Sequence, residues 1–318
     1  MEQLGADDPR QVGGYRLLRR LGSGGMGRVY LGRSAGGRTV AVKVVRPELA
    51  DDAEFRARFR QEVASARLVG GRWTAPVLDA DTEGATPWVA TGYVAGPALG
   101  AAVQQYGPLP ADAVQVLGVG LAGALAAVHG LGLVHRDVKP SNVLLALDGP
   151  RLIDFGIARA LDAAALTQSG FVVGSPGYMS PEQAHGEPAG PPSDVFSLAA
   201  VLAYAATGTA PFGEGVSAAV LLYRVIHEDP DLSGVADEGL RALLAAALAK
   251  QPQQRPAPQE FGQRLAALGA AGESGTVRLG RGGWLPPVLA EAVGRQAVEL
   301  LELEGEQAVD AAAAPGRP

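Results

Sequence analysis

The sequence predicts an α+β fold in two lobes, a strand-rich lobe first and a larger, mainly helical lobe after it. Three observations carry this. Residues 15 to 46 hold short runs of alternating or β-branched apolar residues separated by glycine turns. From Gly96 onward the apolar residues recur in longer runs at helical spacing. The first pattern occupies about 80 residues and the second about 170, an order that fits segregated strands and helices.

The elements follow in order. Strands are expected at Tyr15 to Leu21, Arg28 to Arg33 and Thr39 to Val45, with GSGG and AGG between them. A helix is expected from about Asp51 to Leu68, its face formed by Phe55, Phe59, Glu62 and Ala66 at i, i+4, i+7 and i+11. Glu62 is then a carboxylate on an apolar stripe, which is costly to bury unless a cation meets it. Ala75 to Asp79 and Trp88 to Val94 read as two further strands, and 111–129, 193–207, 216–227, 237–249 and 258–268 as helices. The domains expected are an N-terminal tail (1–12), the first lobe (13–94), the second lobe (95–268), a Gly/Ser/Arg linker (269–284) and a C-terminal amphipathic helix with a frayed end (285–318). No solenoid repeat is visible.

Composition narrows the function classes. The chain has 318 residues, is 47% hydrophobic and 19% charged, and carries a formal net charge of −6. That mild acidity argues against a nucleic-acid binder. Without cysteine there is no disulfide framework, thiolate zinc site or cysteine nucleophile. MEQLGADDPR lacks the basic-then-apolar order of a signal peptide, so the expected compartment is the cytoplasm. Ala113 to Val134 is 22 residues without Asp, Glu, Lys or Arg, long enough to cross a bilayer. Its glycines, Gln115 and His129, and the polar segment after it, make it a buried core helix instead, and no membrane span is expected.

Four motifs carry chemistry. Gly22-Ser23-Gly24-Gly25-Met26-Gly27 is G-x-G-x-x-G, whose glycines let backbone N–H groups approach phosphate oxygens. A dinucleotide fingerprint would open a helix, whereas here a strand follows. Val40-Ala41-Val42-Lys43 then places a lysine on the third strand, out of phase with its apolar neighbours, with Glu62 to complete a pair. His135-Arg136-Asp137-Val138-Lys139-Pro140-Ser141-Asn142 is followed by Asp154-Phe155-Gly156, and Gly174-Ser175-Pro176-Gly177-Tyr178-Met179-Ser180-Pro181-Glu182 comes after that. From about residue 13 to 268, these strings resemble the Hanks-type bacterial serine/threonine protein kinases, in particular actinobacterial members.

The resemblance implies the two-lobed protein kinase fold, with ATP and Mg2+ (or Mn2+) as cofactors and Ser/Thr hydroxyls of proteins as acceptors. Asp137 would orient the substrate hydroxyl and accept its proton, and Lys139 would stabilise the transferring phosphoryl group. A lysine two residues after the aspartate is the Ser/Thr rather than the tyrosine pattern. Asn142 and Asp154 would hold the metal, and Lys43, paired with Glu62, the nucleotide's α- and β-phosphates. The glycine loop would contribute Gly22, Gly24 and Gly27. Leu21, Val29, Ala41 and Leu144 would wall the adenine, with Thr91 as gatekeeper and Gly92, Tyr93 and Val94 as hinge. Gly92 departs from the acidic residue often seen there.

Thr167 and Ser169 are the candidate autophosphorylation sites, their phosphates to be met by Arg136. Ser175 would bond Asp137 and Lys139, Glu182 would pair with Arg255, and Asp194 would hold the catalytic loop. His135 is expected in the core, while His129, His185 and His227 show no shared ligand spacing. A homodimer for trans-autophosphorylation is a partner the family suggests. The alternative class, a pseudokinase scaffold, is disfavoured because the lysine, the base and both metal positions are present.

Overall fold

The computed structural model describes residues 1–154, 175–271 and 283–313, with the side chains of 270–271 and 301–313 left undescribed. Six strands form an antiparallel sheet: β1 (Gln11–Val12), β2 (Tyr15–Gly24), β3 (Gly27–Ser34), β4 (Thr39–Val45), β5 (Val77–Asp81) and β6 (Trp88–Gly92), in spatial order β1-β2-β3-β4-β6-β5. Alternation sorts their residues. Val40 and Val42 turn into a core with Leu17, Tyr30, Trp88 and Ala90, which leaves Ala41 and Lys43 on the opposite face.

After the short α1 (Pro47–Ala50), α2 (Ala53–Leu68) is capped by Asp52, whose carboxylate accepts from the backbone N–H groups of Glu54 and Phe55. Its buried stripe is Phe55, Phe59, Val63 and Ala66. The stripe therefore also takes in Val63, and Glu62 is partly buried on the same face. The expected tail is also part of this lobe. Glu2 bridges to Arg20, and the buried Asp8 accepts from Arg20 Nη2 (2.5 Å), Arg28 Nη1 (3.0 Å), Tyr30 Oη (2.8 Å) and the Gly5 N–H (2.8 Å). Burial opposes ionisation of Asp8, but these donors outweigh it and hold the carboxyl well below the usual range.

The second lobe contains α3 (Leu99–Tyr106), α4 (Ala111–Gly130), a hairpin of β7 (Val143–Ala146) and β8 (Gly149–Leu152), α5 (Pro181–Ala184), α6 (Pro191–Thr207), α7 (Ala218–His227), α8 (Glu238–Ala247), α9 (Pro258–Ala271) and α10 (Pro287–Ala313). Helix α4 is the one long and apolar enough, among the described residues, to cross a membrane, and it is buried at the centre of this lobe. Its glycines are there for packing. A Cβ at Gly118 would lie 2.5 Å from Leu265 Cδ1, and one at Gly120 would lie 2.6 Å from Pro150 Cγ. Trp73 lies over Gly123 and Gly149, and its carbonyl accepts from Leu152 N, which ties the loop between α2 and β5 to the hairpin.

Candidate active site

The cleft between the lobes gathers the residues that the motifs singled out. From the sheet come Ala41 and Lys43, with Thr91 opposite Ala41 and Val29 opposite Lys43 in register. These four, with Leu21, Gly92, Tyr93, Val94 and Leu144, are half-buried. A Cβ at Gly22, Gly24 or Gly25 would meet nothing within 4 Å, so the loop borders open space on its side-chain side. Gly27 is different: a Cβ there would sit 1.9 Å from Val44 O. The third glycine of the loop is thus required by close packing against β4.

On the helical side, Lys139 Nζ meets Asp137 Oδ2 at 2.8 Å. Asn142 Nδ2 donates to the Asp137 carbonyl (2.9 Å) and to Asp137 Oδ2 (3.0 Å). The Asn142 carbonyl in turn accepts from Ile153 N at 2.9 Å, which brings Asn142 beside Asp154. Asp154 Oδ2 is 3.2 Å from Lys43 Nζ, the contact that closes the cleft. Arg136 (φ 66°) and Asp154 (φ 55°) are the non-glycine residues with left-handed backbone among those described. Such conformations cost about 1–3 kcal/mol each and persist where surrounding bonds over-determine them.

For Arg136 those bonds converge on Asp194, buried at the start of α6. Its carboxylate accepts from the backbone N–H groups of His135 (2.8 Å) and Arg136 (2.7 Å), and lies 2.7 Å from His129 Nε2. His129, given no role from sequence, is therefore part of the support of the catalytic loop. Its place in the last turn of α4, ahead of that loop, was the available signal. His135 is fully buried, which pushes its imidazole pKa down. Its Nδ1 accepts from Asp137 N (3.3 Å) and its Nε2 faces Ile153 O (3.2 Å), the pattern of a neutral ring protonated on Nε2.

Glu182 and Arg255 form a buried fork, Nη1 to Oε1 at 2.7 Å and Nη2 to Oε2 at 2.8 Å. Ser193 Oγ adds 2.6 Å to Oε1, and the remaining Arg255 donors reach Ala249 O, Pro192 O and Lys250 O. Ser180 caps α5 in a reciprocal box with Gln183, whose Nε2 reaches Arg136 O.

Two expected contacts are not made. Lys43 does not bridge to Glu62; its ammonium meets Asp154 across the cleft instead. Glu62 Oε2 is buried without a hydrogen-bond partner. Burial raises the Glu62 pKa to about 8, and the nearby charges of Arg136, Arg58 and Lys43 offset this only in part. Nor does Ser175 bond Asp137 and Lys139 among the described contacts. Those two hold each other, and Ser175 offers its carbonyl to Tyr178 N. Phe155, Gly156, Thr167, Ser169 and Gly174 lie outside the described residues.

The protein kinase domain family matches residues 15–264, and the chain belongs to that family. The probable serine/threonine-protein kinase PkwA of Thermomonospora curvata is 48% identical over 294 residues, covering 92% of this chain and 38% of PkwA. The serine/threonine-protein kinase AfsK of Streptomyces coelicolor is 49% identical over 290 residues, 90% of this chain and 36% of AfsK. The chain thus spans little more than a third of the length of these relatives. Among solved structures, the Mycobacterium tuberculosis PknI kinase domain is similar with a TM-score of 0.64 and 30% identity, covering 80% of this chain and 96% of that one.

Proposed function

We propose that this chain transfers the γ-phosphoryl group of ATP to serine and threonine hydroxyls of proteins. One observation carries the reading: Lys139 and Asn142 both meet Asp137, the Asn142 carbonyl holds the Ile153 N–H next to Asp154, and Asp154 meets Lys43 on the sheet. The residues fit a magnesium nucleotide. Asn142 uses its Nδ2 on Asp137, so its amide oxygen is the end suited to a cation, and Asp154 adds a hard carboxylate. Magnesium, when bound, would neutralise charge on the phosphates.

The chain's own groups do the rest. Asp137 Oδ2, fixed by Lys139 and Asn142, orients an acceptor hydroxyl and takes its proton. Lys139, already at the base, stabilises charge on the group in transfer. Lys43 holds the α- and β-phosphates, the exposed glycine loop covers them, and the half-buried wall from Leu21 to Leu144 takes the adenine. Autophosphorylation at Thr167 and Ser169, in trans between two copies, is the regulatory part of the same reading, with Arg136 to meet the new phosphate.

The test is incubation of the purified chain with labelled ATP and magnesium, alone and with a generic basic protein. Label on Ser or Thr is expected, and Asp137→Asn should lower the rate by about 10²–10⁴-fold. Equal labelling of that variant would remove Asp137 from its role. Phosphopeptide mapping checks Thr167 and Ser169.

A further inference from the structure

Residues from Trp284 onward, expected to follow a linker, are built into the second lobe. Trp284, Leu285, Leu289 and Val293 are buried in the same core cluster as α3, α4 and α6. Two polar contacts give this arm a definite seat. Trp284 Nε1 donates to Ala146 O at 2.9 Å, at the end of β7. Gln296 Nε2 donates to Tyr93 Oη at 3.3 Å, in the segment that joins the lobes. Leu289, Val293 and Gln296 follow at i, i+4 and i+7, so one face of α10 makes the inner contacts. The opposite face carries the exposed pair Arg295 and Glu291.

Both anchor points are close in sequence to residues expected to line the nucleotide slot. Ala146 is two residues beyond Leu144 on the same strand, and Leu144 bridges to Ala98 while Leu145 N bonds Pro97 O. Tyr93 is in the hinge itself. The region similar to PkwA covers 92% of this chain, so it must run into α10 wherever it begins, well past the end of the family match at residue 264.

We propose that the segment from Trp284 to Gln296 is a clasp that sets the hinge for nucleotide, with Trp284 and Gln296 as positioning residues acting through Ala146 and Tyr93. The inference rests on the nucleotide reading above. A hinge held in its binding geometry before ATP arrives loses less conformational freedom on binding, so the clasp raises affinity without touching the ligand. Neither anchor bonds Asp137, Lys139, Asn142 or Asp154. Its signature is therefore a change in nucleotide affinity at nearly constant turnover.

The experiment uses the full chain, with magnesium-ATP affinity from titration, KM and kcat from transfer to a generic basic protein, and Tm beside them. Gln296→Ala should raise the ATP Kd and KM about fivefold, the worth of one hydrogen bond, with kcat within about twofold and Tm little changed. Trp284→Phe keeps the ring in the core and removes the N–H, and should move affinity the same way. Gln296→Ala combined with Tyr93→Phe should be no worse than the weaker-binding single variant, because both remove one contact. Arg295→Ala, on the outer face, should match the unaltered chain. If Gln296→Ala and Trp284→Phe both bind ATP like the unaltered chain, the clasp is wrong and the arm is only packing. If the unaltered chain fails to bind ATP, the nucleotide reading itself falls, and the clasp with it.

Discussion

Glu62 on α2 and Glu182 on α5 are both glutamates drawn out of water, one beside the cleft and one beneath the helical lobe, and their surroundings differ at every point. Glu182 has a two-bond fork from Arg255 and a hydroxyl from Ser193, and although burial raises its pKa, these bonds more than offset that and the net shift is downward. Glu62 has a buried oxygen with no hydrogen-bond partner, and its pKa climbs to about 8. Arg255 is fixed by three backbone carbonyls and can serve no other carboxylate. Lys43 has one ammonium with two carboxylates in prospect, and here Asp154 has it. The scaffold pair is complete as folded. The catalytic pair is left to compete, which is where a nucleotide or a metal can intervene.

The largest effect should come from breaking the complete pair. Arg255→Ala strands a buried carboxylate and should destabilise the fold by about 3–5 kcal/mol in denaturant titrations. A loss below 1 kcal/mol would show that Glu182 finds water or another cation.

Glu62→Gln should do the reverse. A carboxylate whose folded pKa is raised holds its proton in the native state after the unfolded chain has lost it. Stability then falls as pH climbs from about 4.5 to about 8. Gln has no proton to lose, so the variant should lack that slope and be more stable near pH 8 by on the order of 2 kcal/mol. Its phosphoryl transfer should nevertheless drop by roughly tenfold or more, since Lys43 loses the partner it needs during the reaction.

A smaller change sharpens the comparison from the other side. Asp154→Asn removes the competitor and frees Lys43 for Glu62, so the pH slope between about 4.5 and 8 should shrink while transfer is lost. An unchanged slope would mean that distance, not competition, keeps Lys43 from Glu62.

The smallest effect concerns Lys250, whose Nζ donates to Val225 O (2.7 Å) over the Phe212 ring. Burial pushes its pKa down to about 8. Between about 8 and 10.5 the unfolded chain binds more protons, so this group makes stability rise with pH there. Lys250→Met should remove that rise, and at pH 7 the relief of a buried charge should offset the roughly 1 kcal/mol lost with the bond to Val225 O at the end of α7.

Much of this was legible along the chain. Strand alternation around Val40 and Val42 put Lys43 on the cleft face, and the spacing from Asp137 to Asn142 assembled the catalytic loop, because both are local patterns. The hairpin β7–β8 escaped notice because four-residue strands carry too few alternations to stand out. Val63 completes the α2 stripe beside the expected Phe55, Phe59 and Ala66, with Glu62 partly buried on the same face. The terminal segments were read as a tail and a linked helix because their anchors, Asp8 to Arg20 and Trp284 to Ala146, join residues far apart in sequence.

What the sequence by itself determined is the inventory: which chemical groups are present, on which element, and facing which side, since period and spacing fix these within a few residues. The tertiary structure alone decided the pairings. Lys43 and Asp154 are 111 residues apart, and Trp284 and Ala146 are 138 apart. Which ammonium meets which carboxylate across such distances depends on how two packed lobes face each other, and an ion pair is lost within a few ångströms of displacement. No local pattern carries that information. The lysine and the glutamate could each be named from the chain, but their separation in the cleft could not.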